Sequence, residues 1–494
     1  MKAFDYFYID GRRTSPTTDE IIEVISSHSE QVVATVPAAA RSDIDAAVRA
    51  AKSAMASPDW GGLEIARRLA IVERFADEYA KLAADLGSAM TEEMGCAASM
   101  VRMLHIDPAV RALRYYVSLA KDFPFEELRK GARSTIVLRR PVGVVAAVIP
   151  WNGPVFLTML KLAPALVSGC AMILKASPEA PLSSYVLVRA AEAAGLPNGV
   201  LNVLTADRDV SEYLVTHPDV QKVSFTGSSL AGKRIAQLCG NDLKRFNLEL
   251  GGKSAAIILD DADLDTTVNT LRLAAFANSG QVCTARSRIL APQSRYDEVV
   301  DAVAKMADSL RVGDPSDPTT EVGPLVSKRQ RDVVLDYIQI GKAEGARLVT
   351  GGRAPSGLPT GYYVQPTVFA DVTSAMRIAR EEIFGPVVSV IGYADEDDAI
   401  RIANDSAFGL SGSVFTGDVA RGMRIARRIE SGTFGINTFG NDICAPMGGV
   451  KLSGVGREMG PEGLENFIEY RSILLPPDYE GAPSELSPFI AAAT

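Results

Sequence analysis

Val144-Val145-Ala146-Ala147-Val148-Ile149 is an unbroken apolar run that stops at Pro150-Trp151-Asn152. It is too short for a stable helix and is flanked by Gly143 and Pro150, so it predicts a strand buried on both faces, as in a parallel sheet. Just upstream, residues 134–140 alternate in polarity like a strand at a sheet edge. Downstream, short apolar strands (171–174, 199–204, 222–225, 246–250) alternate with helical stretches (183–194, 210–217, 231–239). That alternation is the pattern of a doubly wound sheet. A second αβ series follows Gly251-Gly252, with strands at 255–259 and 287–290 and helices at 264–279 and 296–310. The first stretch of about 130 residues reads mainly as helices, one opening at Ser42-Asp43-Ile44 and one running from Gly62 to Met94.

A chain of 494 residues holds two to four domains at about 150 residues each. Apolar residues make up 47% and charged residues 22%, which is ordinary globular usage. With 51 basic against 60 acidic side chains the net charge is −9, the reverse of the basic excess of a nucleic-acid binder or a polybasic membrane-surface protein. Cys96, Cys170, Cys239, Cys283 and Cys444 are odd in number and contain no C-x-x-C pair, so neither a disulfide framework nor a zinc site is readable. Only His28, His105 and His217 are present, and no metal site is expected. The N-terminus lacks the apolar core of a signal peptide, and the longest apolar run, 142–150, falls short of the ~20 residues of a membrane span. A cytoplasmic, thiol-reducing setting is the expectation. The segment 476–494, rich in Pro, Ser and Ala, is expected to wrap or fray.

Four stretches carry chemistry. Gly227-Ser228-Ser229-Leu230-Ala231-Gly232-Lys233 follows a strand and opens a helix, but Arg234 stands where a nucleotide-binding P-loop needs Ser or Thr for magnesium. It still offers backbone N–H groups and a positive helix end to a pyrophosphate, and a plain strand–helix turn reads the same way. Asn278-Ser279-Gly280-Gln281-Val282-Cys283-Thr284 places a cysteine beside glycine at a helix end, open to a ligand, although a lone cysteine is more often a small buried hydrophobe. Glu249-Leu250-Gly251-Gly252 sets a carboxylate at a strand end. A carboxylate beside a thiol takes a proton from the thiol or from water, which gives cysteine chemistry without histidine. Asn152, just past the first buried strand, has a side-chain amide suited to a developing oxyanion, or to an Asx-turn.

Pro150-Trp151-Asn152, Phe225-Thr226-Gly227-Ser228, Glu249-Leu250-Gly251-Gly252-Lys253, Gly280-Gln281-Val282-Cys283, Glu381-Glu382-Ile383-Phe384-Gly385-Pro386, Pro446-Met447-Gly448-Gly449-Val450-Lys451 and Ser453-Gly454-Val455-Gly456-Arg457-Glu458 occur in this order. Together they resemble the NAD(P)-dependent aldehyde dehydrogenase superfamily, of the hydrolytic type, over residues 8–475. The spacing of 34 residues between Glu249 and Cys283 also matches. The resemblance implies Cys283 as nucleophile, Asn152 as oxyanion donor and Glu249 as the base that activates water. It implies cofactor contacts from Ile149, Trp151, Lys175, Ser177, Glu179, Gly227, Ser228, Gly232, Leu250, Gly251, Glu382 and Phe384. Many NAD-preferring members carry glutamate three residues after the lysine; here that place is Pro178 and glutamate follows at 179. NAD is expected, with NADP the alternative, because a nearby carboxylate repels a 2′-phosphate.

By the same likeness Gly153, Leu157 and Leu160 line the aldehyde channel, and their spacing by four and three shares one helix face. A medium-to-large hydrophobic aldehyde is then the expected substrate, although ordinary core leucines read alike. The expected architecture is α/β: a Rossmann-like cofactor domain (1–118 and 142–251), a second α/β catalytic domain (252–450), and a small β oligomerisation element (119–141 and 469–485), with a tail at 486–494. An edge strand in that element is a liability unless paired, so a homodimer or homotetramer is expected. The competing readings are a coenzyme A-acylating dehydrogenase, disfavoured by Glu249; a cysteine hydrolase, which lacks a histidine partner; and a silent paralogue, disfavoured by the presence of Asn152, Glu249 and Cys283 together.

Overall fold

The computed structural model describes residues 2–476. Its first large sheet contains strands β1 (Phe7–Ile9), β2 (Arg12–Thr14), β3 (Val144–Val148), β4 (Ala171–Ala176), β5 (Leu201–Thr205), β6 (Lys222–Thr226) and β7 (Arg245–Glu249). The second contains β8 (Ala255–Ile258), β9 (Arg288–Pro292), β10 (Arg347–Thr350), β11 (Thr367–Ala370), β12 (Val387–Tyr393), β13 (Gly412–Phe415) and β14 (Gly435–Ile436). A last short strand, β15 (Gly454–Val455), returns to the first sheet. The strand orders are β15-β7-β6-β3-β4-β5-β1-β2 and β10-β11-β12-β9-β8-β13-β14.

In the first sheet the five strands β7, β6, β3, β4 and β5 are parallel, and both edges are closed by antiparallel additions. All five residues of β3 are buried, which is why its sequence runs apolar rather than alternating. Helices cover both faces, and one continuous core joins them, from Phe7 through Val48, Phe75, Tyr116, Val145 and Leu166 to Leu250. Two further cores lie on the faces of the second sheet. This is the doubly wound cofactor-type unit with a second α/β unit after it.

The N-terminal region departs from the helical expectation. Five strands, beginning at Lys2–Ala3 and ending at Val32–Pro37, precede the first helix, Arg41–Ala56. Asp10 and Gly11 both have positive φ, 57° and 70°, and join β1 to β2 as a two-residue hairpin turn of the kind Asp-Gly favours. The helix expected over 62–94 is two, Ile65–Lys81 and Ala83–Met94, parted at Leu82. The domain cut expected at 118/119 falls inside the helix Asp107–Asp122, whose Tyr116, Val117 and Ala120 are buried in the main core and hold its last turns there.

A three-stranded antiparallel sheet pairs Glu126–Lys130 with Ser134–Pro141, and that strand with Ile468–Leu474, in register from Ile468 opposite Pro141 to Leu474 opposite Thr135. Residues 477–485 of the expected oligomerisation element, and the tail 486–494, lie outside the described residues. Among the described residues no helix is long and apolar enough to cross a membrane.

Candidate active site

From β3 the chain passes through β4 to β5 on one side, then crosses to β6 and β7 on the other. Ligands collect outside the carboxyl ends of strands where the winding reverses in this way. The register sets Val148 beside Lys175, Phe225 beside Val148, and Thr226 beside Glu249, so four strand ends finish together. A cleft of about 350 Å³ opens there. One wall is Pro150, Trp151 and Asn152 after β3, Glu179 after β4, Thr226 at the end of β6 with Gly227 and Ser228 after it, and Leu250 and Gly251 after β7. The opposite wall comes from the second unit: Cys283, Ser327, Arg329, Gln330, Val333, Glu382 and Phe384. A separate hollow beside Lys253 and Arg288 measures about 10 Å³, room for one water at most.

Several features suit a dinucleotide. Ser228 caps the helix Ser229–Asn241, its Oγ accepting from the N–H of Ala231 at 3.3 Å, so this helix presents its positive end to the cleft. The buried Thr226 hydroxyl, on the cleft wall, has no hydrogen-bond partner among the described residues. Gly232 lets the helix seat tightly, since a Cβ there would stand 2.5 Å from Leu250. A Cβ on Gly251 would meet Glu382 Oε2 at 2.1 Å, while Glu382 Oε1 accepts from the N–H of Gly252 at 2.9 Å. Burial pushes the Glu382 carboxyl up to about 7, against the pull of the Gly252 N–H and of Lys253. The rings of Trp151 and Phe384 meet edge to face at 5.4 Å. Ile149, Lys175, Ser177 and Gly232 stand behind this lining. Ile149 donates its N–H to the Lys175 carbonyl at 3.1 Å. Burial draws the Lys175 amine down to about 8, opposed by Glu179, and Ser177 Oγ donates to Glu179 Oε2 at 2.5 Å.

The helix before Cys283 stops at Phe276, earlier than its periodicity suggests. Asn278, Ser279 and Gly280 take consecutive left-handed conformations, with φ of 51°, 57° and 72°. At Gly280 this is compulsory, because a Cβ would lie 2.2 Å from the Gly385 carbonyl oxygen. The turn delivers Cys283 to the cleft opposite Asn152, whose Nδ2 donates to the Gln281 carbonyl at 3.0 Å. Burial pushes the Cys283 thiol up to about 12, helped by the charges of Glu382 and Glu249, while backbone N–H groups at Thr284 and Cys283 oppose. Alkylation of Cys283 by iodoacetamide in the cofactor-free protein should therefore climb about tenfold per pH unit, because only the thiolate reacts. Rates followed by mass spectrometry between pH 7 and 10 should show no plateau, and levelling near the ordinary thiol value would contradict this electrostatic picture.

Glu249 ends β7, buried behind the lining rather than in it, and neither carboxylate oxygen has a hydrogen-bond partner among the described residues. Burial, and then Glu458, push its carboxyl well above the usual range, while Lys161 and Arg457 pull the other way. Lys161 and Glu458 form a fully buried ion pair beside it. The sequence reading missed this pair, as it missed Ser327, Arg329 and Gln330. A signal existed for Lys161: it is the one charged residue of the apolar helix Pro154–Ser168, and a buried lysine needs a partner. Gln330 donates to the carbonyls of Ile383 and Phe384 at 3.2 and 2.8 Å, fixing the loop that carries Glu382.

Of the three expected channel residues, Leu160 is 1% exposed and packed in the main core. The helix Pro154–Ser168 is apolar nearly all round, so a shared face does not show which cover it receives. Leu157 is half-buried, and a Cβ on Gly153 would meet Leu157 at 3.3 Å and His105 at 3.6 Å.

The model of the Aldehyde dehydrogenase family matches residues 14–473. The chain belongs to the aldehyde dehydrogenase family. It is 46% identical to a geranial dehydrogenase of Castellaniella defragrans, over 95% of this chain and 98% of that one. Among solved aldehyde dehydrogenases, it is similar to one from Mycobacterium tuberculosis complexed with NAD+, at 43% identity and a TM-score of 0.95, covering 97% of this chain and 100% of that chain. A mutant of aldehyde dehydrogenase C from Pseudomonas syringae, complexed with NAD+ and octanal, is 38% identical with a TM-score of 0.93, covering 96% and 98%.

Proposed function

We propose that this aldehyde dehydrogenase oxidises a medium-to-large hydrophobic aldehyde to its carboxylic acid, with NAD+ as cofactor and Cys283 as covalent nucleophile. The observation that carries the reading is the convergence of Asn152 and Cys283 on one cleft, whose wall runs on through Leu250 and Gly251 from the strand that Glu249 ends. The Cys283 thiol loses its proton to solvent, and the thiolate adds to the aldehyde carbon, forming a C–S bond while the C=O π pair moves onto oxygen as an alkoxide. The Asn152 amide and the Cys283 N–H stabilise that charge where it develops. The tetrahedral carbon then gives up its hydrogen with the electron pair, leaving a thioester on Cys283. The chemistry NAD+ supplies is acceptance of that hydride. Glu249 takes a proton from water, whose oxygen attacks the thioester, and the C–S bond breaks to release the acid. Its raised carboxyl makes it a stronger base than an exposed one. The same base favours hydrolysis over acyl transfer to coenzyme A.

The residues fit NAD+: Ser228 and the helix end for the pyrophosphate, Lys175 with Glu179 for the adenine ribose, and Glu382 with Phe384 for the nicotinamide side. Gly227, Gly232, Leu250 and Gly251 leave the space, and Ile149, Trp151 and Ser177 support those groups from the strand ends. Glu179 on the cleft wall disfavours a 2′-phosphate, and exposed Arg329 adds a positive charge for an anionic ligand. A homodimer or homotetramer is proposed through the strand Ile468–Leu474, where Tyr470 and Leu474 are 54% and 63% exposed. A cytoplasmic setting accords with five free thiols.

Similarity to a geranial dehydrogenase and to an octanal complex supports the hydrophobic substrate, with Gly153 and Leu157 on the proposed channel. Each added methylene buried should raise kcat/KM by up to about fourfold, equivalent to ~0.8 kcal/mol, until the channel fills. A panel from acetaldehyde to decanal, with succinic semialdehyde, assayed with NAD+ and with NADP+, tests this. A higher kcat/KM for succinic semialdehyde than for hexanal, or a preference for NADP+, would overturn the corresponding part.

A further inference from the structure

Asn278 is an amide, 4% exposed, with no part in the steps above. Its Nδ2 donates to the backbone carbonyl of Asn152 at 3.0 Å and to that of Gln281 at 3.4 Å. The Gln281 carbonyl in turn accepts from Asn152 Nδ2 at 3.0 Å. Three residues therefore close a ring of hydrogen bonds that joins the loop after β3 to the cysteine loop of the second unit. One N–H of the Asn152 amide is fixed by Gln281, which sets the direction of the amide and of its other N–H. Gln281 is itself held, 0% exposed, its Oε1 accepting from Val326 N–H at 3.0 Å and its Nε2 donating to the Asn278 carbonyl at 3.2 Å.

We propose that Asn278 is a positioning residue for the oxyanion site: it clamps the Asn152 backbone and the Gln281 carbonyl together, so that the Asn152 amide stands pre-aimed at the carbonyl oxygen of a substrate bound to Cys283. This rests on the assignment of Asn152 and Cys283 made above. The left-handed backbone at 278 explains the residue type. Asparagine adopts this conformation more readily than most L-residues, and its side chain supplies a donor able to bridge two carbonyls. Donors held in place before reaction cost no reorganisation when charge develops, whereas a loosened one loses most of that advantage.

Two variants keep the left-handed turn accessible. Asn278→Gly removes the amide, and Asn278→Asp, nearly isosteric, sets a carboxylate against two carbonyl oxygens. Both should lower kcat for aldehyde oxidation about 10- to 100-fold, short of the 10²- to 10³-fold loss typical of deleting an oxyanion donor itself. Alkylation of Cys283 by iodoacetamide forms no oxyanion, and it should stay within about twofold of wild type, as should NAD+ affinity measured by calorimetry. Adding Asn278→Gly to Asn152→Ala should cost nothing further, since the clamp then has no amide to aim. Hydrolysis of 4-nitrophenyl acetate by Cys283 uses the same oxyanion donor without cofactor, so it should fall in parallel and reports on Asn278 even if wild type oxidised no aldehyde. Unchanged kcat and ester hydrolysis, losses that multiply with Asn152→Ala, or alkylation falling in step with turnover would each overturn the proposal, the last by showing a generally displaced cysteine loop.

Discussion

Cys283→Ala should bring aldehyde oxidation and ester hydrolysis below detection, a loss of about 10⁵-fold or more, because the variant has no covalent route and no second nucleophile. The remaining cysteines cannot substitute: Cys96, Cys170 and Cys239 are buried elsewhere, and Cys444 is exposed away from the cleft lining. NAD+ affinity should change little, since the groups assigned to the pyrophosphate and adenine ribose lie on β4, β6 and their following turns. Steady-state rates with octanal, together with calorimetric NAD+ binding, check both halves. Turnover within a hundredfold of wild type would remove the thiohemiacetal from the mechanism.

Glu249→Gln should separate the reaction into its halves. Hydride transfer precedes any need for a water base, so mixing enzyme, NAD+ and octanal should release one equivalent of NADH per site in a burst. Turnover should then fall by about 10²- to 10⁴-fold as the thioester accumulates. The substitution is near-isosteric, and the Lys161–Glu458 pair beside it remains intact, so thermal stability should hold. Stopped-flow absorbance at the NADH band and intact mass of the quenched enzyme report the two phases. Absence of a burst would assign Glu249 an earlier role, taking the proton from Cys283.

The strands that build the parallel core of the first sheet were legible because burial on both faces writes an unbroken apolar run, as in β3 and β4. The first five strands were not, because Phe7-Tyr8-Ile9 is too short to show a period, and only the Asp10-Gly11 turn marks the hairpin. The site was legible where one local constraint leaves a motif: the glycine before Cys283, the two after Glu249, the proline before Trp151 and Asn152. It was not legible where the contribution comes from a helix start of ordinary polar sequence, as with Ser327, Arg329 and Gln330. Leu160 marks a different limit. Periodicity puts it on a face with Leu157, yet only packing shows that Leu160 itself is buried in the main core while Leu157 stays half-buried.

The strand β15 pairs with the outer side of β7, in register from Leu248 opposite Val455 to Glu249 opposite Gly454. During synthesis β7 leaves the ribosome long before its neighbour exists. The bare edge of a nearly finished parallel sheet then stays open for about 200 further residues, on the order of 10–40 s at 5–20 residues per second. An open edge is a template for pairing with another chain. The nascent protein is thus most vulnerable to a second nascent copy, or most in need of a chaperone, in this interval, and the few residues of β15 end that exposure.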